Sequence, residues 1–333
     1  MPYCRSFALL LLLVTGACLN AQETFYTALA AQESPRIEVK CNWVLLNSIR
    51  DDTEIEGTIT ALDKEWEIEL QLRGRFRRAK CDTTMLPFRV QLRKKELREA
   101  GFAEFRNHKI VTPCIADPEG TQNLHEELLV YKLYNILTDQ SFDVIEAKLL
   151  RYSMNPNSPP DSVTVLVIEP TKEMAQRVGS GEVETYNLPA DSLDAWSYNC
   201  TALFQFMVGN FDWSQKFVQN VKLVRGPNGL ITVPHDFDFS SIVEASYALV
   251  PREFGIYDPK DRVYLGEHFF DQLPEMEQHF IDHKDEMIEY VLAFEGLKKS
   301  RRKQVVTFLK NFFRYIEDPD HVMEYKMALP FMR

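Results

Sequence analysis

The stretch EWEIELQLRGRF, residues 65–76, alternates charged and apolar side chains along most of its length. This period of two is typical of a β-strand that buries one face and exposes the other. The stretch LPFRVQLRK, residues 86–94, alternates in the same way, with Phe88, Val90 and Leu92 on one face. The two segments, joined by RRAKCDTTM, therefore predict neighbouring strands of one sheet.

Further strands are predicted on both sides of this pair, after a polar leader over residues 22–36. They are CNWVLLNSI (41–49), EIEGTITAL (54–62), NHKIVTPC (107–114), FDVIEAKLLRYSM (142–154) and DSVTVLVIEP (161–170). The stretch GTQNLHEELLVYKLYNILT, residues 120–138, changes to apolar residues about one helical turn apart, which predicts a helix. A short helix over 170–179 should end at Gly179, and a buried helix over 192–210 should begin at an N-cap Ser192.

The remaining order is two strand-like pieces, NVKLV and LITVPHDFDF, followed by a mostly helical C-terminal region. The predicted elements follow the order of a protein kinase: strands, one helix, more strands and then helices. This order predicts an α+β, two-lobed, atypical protein-kinase-like fold, with an antiparallel-sheet lobe over residues 22–178 and a mainly helical lobe over 179–333. A kinase needs a lysine on its third strand and a glutamate on the next helix, here Lys109 and either Glu126 or Glu127.

The first 21 residues predict a signal peptide. Arg5 supplies a positive charge, the apolar run FALLLLLV is too short to span a bilayer, and LNA before Gln22 is an acceptable cleavage site. The alternative is a lipoprotein signal at VTGAC with Cys18 lipidated. Both interpretations predict export to the periplasm, the cell surface or the medium.

Composition limits the classes of partner. The 333 residues carry a formal net charge of −11, which argues against a nucleic-acid-binding protein and disfavours adhesion to anionic membranes. The hydrophobic fraction of 45% is ordinary for a globular fold. No later apolar run approaches the roughly 20 residues of a membrane-spanning helix.

Four cysteines remain after the predicted signal: Cys41, Cys81, Cys114 and Cys200. Four cysteines allow three pairings, and an exported protein permits disulfides. Cys81 lies in the loop between two predicted strands and Cys114 ends the next strand, so a meander favours a Cys81–Cys114 bridge. Cys41 and Cys200 stay unassigned, and the absence of a CxxC pattern in the sequence argues against structural zinc.

The stretch VPHDFDFSS, residues 233–241, places two aspartates two residues apart behind an apolar strand. Strand alternation predicts Asp236 and Asp238 on one face, where their charges repel unless a cation lies between them. Upstream, Asp212 lies in a loop after a helix, and Asn220 follows at the start of a strand. One aspartate that orients a hydroxyl, with a later asparagine and aspartate that hold magnesium, is the residue set of a phosphoryl-transfer loop.

These residues carry a resemblance to the CotH kinase family, the atypical protein kinases named from a bacterial spore-coat protein. The segments are LQLRGRFRR, PFRVQLRK, HKIVTPC, VLVIEPTKEMAQR, GNFDW…NVKL and PHDFDFS, and the likeness covers roughly residues 65–265. It implies an exported kinase that binds ATP with Mg²⁺ or Mn²⁺ and phosphorylates protein hydroxyl groups. Asp236 would be the leading metal ligand and Asp212 the catalytic-loop acid.

The predicted site follows from these assignments. Asp212 and Asp236 are the catalytic candidates, and the metal candidates are Asn220, Asp236 and Asp238. The nucleotide would be bound by cations of the RGRFRR strand end and by the kinase-like lysine and glutamates; these candidates are Arg73, Arg75, Lys109, Glu126 and Glu127. Such a site acts by positioning its substrates and by compensating charge.

Two alternatives stay open. The family loop is often Asp-Arg-His where this chain has Asp212-Trp213-Ser214, and exported compartments hold little ATP. The chain would then be a catalytically inactive kinase-fold module that binds an unknown surface partner. A third class, a metal-dependent hydrolase with the same carboxylates, would release free phosphate without labelling protein.

Overall fold

The computed structural model describes residues 22–155, 157–248, 252 and 257–329, apart from the side chain of Arg75. The predicted signal peptide, and with it the alternative lipid attachment at Cys18, lies outside the described residues. Over those ranges, no helix combines the length and the apolar character needed to cross a bilayer.

The described residues form twelve strands and ten α-helices. The strands are β1 (Arg36–Cys41), β2 (Ile55–Ala61), β3 (Lys64–Leu72), β4 (Phe88–Leu92), β5 (Asn107–Val111), β6 (Val144–Ser153), β7 (Asp161–Ile168), β8 (Glu182–Val183), β9 (Val221–Arg225), β10 (Leu230–Pro234), β11 (Arg262–Tyr264) and β12 (Met327–Leu329). The helices are α1 (Phe25–Ala30), α2 (Trp43–Ser48), α3 (Arg75–Lys80), α4 (Lys94–Glu99), α5 (Pro118–Leu137), α6 (Thr171–Val178), α7 (Ala195–Val208), α8 (Leu273–Asp282), α9 (Lys284–Ala293) and α10 (Lys299–Ile316).

The first seven strands close into a barrel in the order β1-β2-β3-β4-β5-β7-β6. Neighbouring strands are antiparallel except at the closure, where β1 runs parallel to β6 with Val39 opposite Arg151. The alternation in β3 puts its apolar side chains inside, with Trp66 and Leu70 buried. Helix α1 adds Phe25 to this core, with its ring centroid 5.5 Å from that of Trp66. Apolar alternation around a closed sheet thus produces one barrel core.

The predicted two-lobed, kinase-like fold with an antiparallel-sheet N-terminal lobe is wrong, although the α+β class is confirmed. The strand that closes the barrel, β1, begins at the end of the segment interpreted as a polar leader, and the same leader contains α1. Most of CNWVLLNSI, interpreted as a strand, is helix α2. A closed barrel pairs both edges of the sheet, which an open sheet would leave unpaired.

A second and larger core joins helices α5 to α10 to a three-stranded sheet of order β10-β9-β8. Helix α5 belongs to this core, through buried residues such as Leu129 and Leu133. Helix α7 is buried along most of its length, and it is capped by Asp194, whose side chain accepts a hydrogen bond from the Ser197 amide. The predicted N-cap Ser192 lies instead in a preceding 3-10 turn. Gly179 is the C-cap of α6, as predicted.

The predicted Cys81–Cys114 disulfide is confirmed, with a Cα–Cα distance of 4.7 Å. Cys81 directly follows α3 and Cys114 lies just beyond β5, so the bond connects the ends of these two elements. Cys41 and Cys200 are both free thiols in buried positions.

Replacing both bridged cysteines by serine should lower the free energy of unfolding by about 2–4 kcal/mol, because the bond closes a loop that the unfolded chain otherwise leaves open. Urea denaturation with and without reductant measures this loss. The matched control is Cys200→Ala, whose midpoint should still respond to reductant. A wild-type midpoint that reductant leaves unchanged, despite complete reduction, would contradict the expectation.

Candidate functional site

A cavity of about 270 Å³ lies where the barrel meets the helical part of the molecule. Its barrel side comes from β5 and the end of β3, and its other side from the loops after α7 and β10. Six of the residues singled out in the sequence line it: Arg73, Lys109, Asp212, Asn220, Asp236 and Asp238. Residues far apart in the chain therefore meet around one space.

The loop after β10 carries the two aspartates, but not by strand alternation. The strand ends at Pro234, and Asp236 has a left-handed φ of 63°, which aspartate tolerates better than most residues. Its backbone N–H donates a hydrogen bond of 2.8 Å to the Tyr131 hydroxyl. Phe237 is fully buried, and its ring centroid lies 4.8 Å from that of Tyr131. The expectation of a straight strand was wrong, and a turn anchored on Tyr131 brings both carboxyl groups to the cavity.

The carboxyl group of Asp236 faces the cavity, where solvent reaches it, but protein surrounds it on its other sides. Burial raises its pKa well above the ordinary value, and the neighbouring charge of Asp238 raises it further, while Arg77 acts in the opposite direction. A cation between the two carboxyl groups would relieve their repulsion.

Asp238 is buried beneath Asp236, and two donors hold its Oδ2 atom. Nη2 of Arg77 lies 3.0 Å away and the Tyr247 hydroxyl donates at 2.9 Å. Nη2 of Arg77 also lies 3.1 Å from Oε2 of Glu127 on α5, so one buried guanidinium joins two carboxylates. Arg77 has an important role that the sequence did not reveal, because it is one of several arginines in RGRFRR and no pattern distinguishes it from its neighbours.

The two glutamates proposed to accompany Lys109 are engaged elsewhere. Glu127 pairs with Arg77, and Glu126 pairs with Nε of Arg301 on α10 at 2.6 Å. Burial raises the pKa of each carboxyl group to about 7. Neither lines the cavity, and in the described structure neither pairs with Lys109. Both carboxyl groups are buried, and arginines other than those predicted hold them.

Asp212 is fixed by amide groups. Asn220 donates from Nδ2 to Oδ2 of Asp212 at 2.9 Å and to its backbone oxygen at 2.6 Å. Gln219 donates to Oδ1, and the Asp212 N–H donates to Oδ1 of Asn210 at 3.0 Å. Burial and the charge of Asp238 raise the pKa of Asp212. A fixed carboxylate with a raised pKa suits a group that accepts a proton during a reaction.

Two cations, Arg73 and Lys109, lie opposite the carboxylates. Neither Arg73 nor Lys109 forms a side-chain hydrogen bond or ion pair with another described residue, although Nζ of Lys109 lies 5.6 Å from the centre of the Phe142 ring. Burial, together with the charges of Arg73 and Lys222, lowers the pKa of Lys109 to about 7. Arg75 begins helix α3, and its side chain lies outside the described structure. Unpaired cations in a cavity point to an anionic ligand.

Lys109→Met should change how stability depends on pH. In the wild type the folded pKa of about 7 is below the ordinary 10.5, so the unfolded chain binds a proton that the folded site releases, and stability should rise between these pH values. The methionine variant should lack this rise and be more stable than the wild type near pH 7. Thermal midpoints from pH 6 to 10 test this, and parallel curves for the two proteins would contradict it.

The donors around Asp236 fit a hard divalent cation. Mg²⁺ is commonly held by one or two carboxylates and completes its shell with water and substrate phosphates. Asp236 and Asp238 supply carboxylate oxygens, and Oδ1 of Asn220 accepts no hydrogen bond from the described residues because Nδ2 is the atom turned toward Asp212. Among the described residues, no group of three or more His, Cys, Asp and Glu side chains is placed to hold a metal ion. A cation bound at Asp236 would need water or phosphate oxygens to complete its shell.

Comparison with known proteins adds no assignment: no family model matches the chain, and no curated protein matches it either. The chemistry of the cavity must therefore follow from its own residues. Those residues are an acidic pair, a fixed third carboxylate, an amide and two unpaired cations.

Proposed function

We propose that this chain is an exported phosphotransferase of the CotH kinase type, which moves a phosphoryl group from ATP to a protein hydroxyl with Mg²⁺ or Mn²⁺. One observation carries the proposal: three carboxylates and two unpaired cations line the same cavity. Carboxylates at one end of the cavity can bind a metal ion, and cations at the other end can bind phosphate oxygens. A metal-bound chain of phosphates needs both kinds of group. The proposal depends on the cavity and does not require a two-lobed fold.

In this proposal Asp236 and Asn220 hold the metal, and Asp238 assists from below. A bound divalent cation neutralises charge on the phosphate oxygens. Lys109 and Arg73 reach the phosphates from the barrel side. Neither side chain pairs with another of the described residues, so their N–H donors are free for phosphate oxygens.

Asp212 orients the acceptor hydroxyl and takes its proton. Asn220 and Gln219 hold its carboxylate in place, so little reorganisation is needed when the hydroxyl binds. A new bond joins the acceptor oxygen to phosphorus, the bridging P–O bond breaks, and ADP leaves with the bonding electrons. The proton of the hydroxyl passes to Asp212.

A catalytically inactive binding module is the second candidate, and a specific observation favours it. Asp238 is already paired with Arg77, and Asp212 is already hydrogen-bonded by two amides, so both carboxylates have partners without a metal. Such a protein would keep the cavity for binding a ligand or a surface partner and transfer nothing.

Exported location is supported by the disulfide, because such bonds persist in oxidising compartments and are rare in the cytosol. Together with the apolar N-terminal run of the sequence, it favours export to the periplasm, the cell surface or the medium.

One experiment separates the candidate functions. Purified protein is mixed with γ-labelled ATP and Mg²⁺ or Mn²⁺, and melting, labelled protein and free phosphate are followed together. The proposed kinase should label protein, and ATP at 100 times its dissociation constant should stabilise the fold by about 2.7 kcal/mol. Stabilisation without transfer would indicate the binding module, and free phosphate without labelled protein a hydrolase. No stabilisation and no transfer would sink the proposal.

A further inference from the structure

A second and larger chamber of about 490 Å³ adjoins the cavity. The two spaces share four lining residues: Arg73, Lys109, Asn220 and His235. A donor whose terminal phosphate lies near Asp236 therefore has this outer chamber as a place for the rest of the molecule. The lining of the outer chamber bears on which kind of donor it accepts.

The outer chamber is rich in positive charge. Its lining includes six cationic side chains against two acidic ones, and the cations are Arg73, Arg89, Arg106, Lys109, Lys172 and Lys222. On a chain with a formal net charge of −11, such a concentration of cations attracts anions.

Some of these cations already have partners. Nζ of Lys222 lies 2.6 Å from Glu182, Nη2 of Arg89 lies 2.5 Å from Glu54, and Nε of Arg106 donates to the Leu92 carbonyl at 2.7 Å. The side chain of Lys172 forms no ion pair or hydrogen bond with another described residue, which is also true of the side chains of Arg73 and Lys109. The unpaired cations thus continue from the inner cavity into the outer chamber.

A nucleoside is a poor match for these walls. Sites for small ligands are usually lined mainly by apolar and aromatic groups, with few polar ones. In the outer chamber Phe105, Pro170 and Val218 are the apolar residues, and charged side chains outnumber them. A chain of phosphates presents an anionic oxygen to each cation, whereas a purine ring presents none.

We infer that the donor bound in the two chambers is a linear inorganic polyphosphate, which this site accepts in addition to or in preference to ATP. The inference rests on the proposed phosphotransferase function and specifies its donor. The acceptor oxygen bonds to the terminal phosphorus, the bridging P–O bond breaks, and the shortened polyphosphate leaves with the bonding electrons. Asp212 takes the proton of the acceptor hydroxyl, so no further reactant is needed.

Lys172 allows a test outside the proposed catalytic residues. It is exposed and is the second residue of α6, a position where glutamate is favourable for the helix, so Lys172→Glu should fold normally. Lys310→Glu, an equal charge reversal at an exposed position on α10, is the matched control. Titration calorimetry with Mg²⁺ should compare sodium tripolyphosphate, a longer polyphosphate and ATP on the wild type and both variants.

Polyphosphate should bind the wild type at least as tightly as ATP. Lys172→Glu should weaken polyphosphate binding about tenfold, because one cation that pairs with phosphate becomes an anion. The control variant should leave this affinity unchanged. Tight ATP binding with weak polyphosphate binding, or equal losses in both variants, would overturn the inference while leaving the phosphotransferase proposal intact. Binding of neither donor would overturn both.

Discussion

Asp236→Asn should abolish phosphoryl transfer and remove all metal-dependent stabilisation, while the metal-free protein becomes as stable as the wild type or slightly more stable. The carboxylate is the leading metal ligand of the proposed site, and a neutral amide cannot replace its charge. Without metal, repulsion between Asp236 and Asp238 destabilises the folded wild type, and the variant lacks this repulsion. Melting curves of both proteins with and without Mg²⁺ or Mn²⁺, at saturating ATP, measure the effect.

The pH dependence gives an independent check on the same residue. Because the folded pKa of Asp236 is raised, its contribution to stability is fully present below the ordinary value of 3.8 and is lost as pH rises through the raised value. The asparagine variant should therefore gain relative to the metal-free wild type as pH rises. An aspartate that only capped a turn would behave differently: asparagine would be nearly neutral there at every pH, and metal would have no effect to lose.

Arg77→Ala should be among the most destabilising single substitutions in the protein, with a loss of about 3–5 kcal/mol, because it leaves two buried carboxylates without their shared cation. Asp238 and Glu127 both depend on this guanidinium. Chemical denaturation measures the loss. Lys80→Ala, at the exposed end of the same helix, is the matched control and should be nearly neutral.

A second readout of the same variant uses acid. Arg77 lowers the pKa of Glu127, so this pKa should rise further without it, and lowering the pH should protonate Glu127 and recover part of the lost stability. Arg77→Lys should also be destabilising, because an ammonium lacks the planar fork that reaches both carboxylates. A loss below about 1 kcal/mol in Arg77→Ala, or the same loss at every pH, would show that this ion pair contributes little.

Local patterns predicted most of the elements correctly. Alternation located β3 and β4, the change of period located α5, and the meander argument paired Cys81 with Cys114. Closure of the barrel was missed because β1 has only three inward side chains, Ile37, Val39 and Cys41, after a segment that was interpreted as leader. A parallel pairing between strands as distant as β1 and β6 has no local signature that a sequence pattern could show.

For the site, the chemistry of individual residues was a better guide than their geometry. Asp212, Asn220, Asp236 and Lys109 were chosen because phosphoryl transfer needs such groups, and they line one cavity. The sequence grouped Lys109 with Glu126 or Glu127, but which cation reaches Glu127 depends on how α3 packs against α5. Lys109 and Arg77 are equally plausible from the sequence, and only the packing of Arg77 against Thr112 and Asp238 decides between them.

The disulfide also bears on when the site becomes complete. It connects the end of α3, which carries Arg77, to the chain just beyond β5, which carries Lys109. A newly made chain in a reducing cytoplasm lacks this bond and leaves the two elements untied. In the proposed exported phosphotransferase, full assembly of the cavity would then coincide with oxidation, after the polypeptide has left the compartment where it was synthesised. Maturation by oxidation would thereby separate synthesis of the protein from the start of its activity, without a removable inhibitor or a second protein.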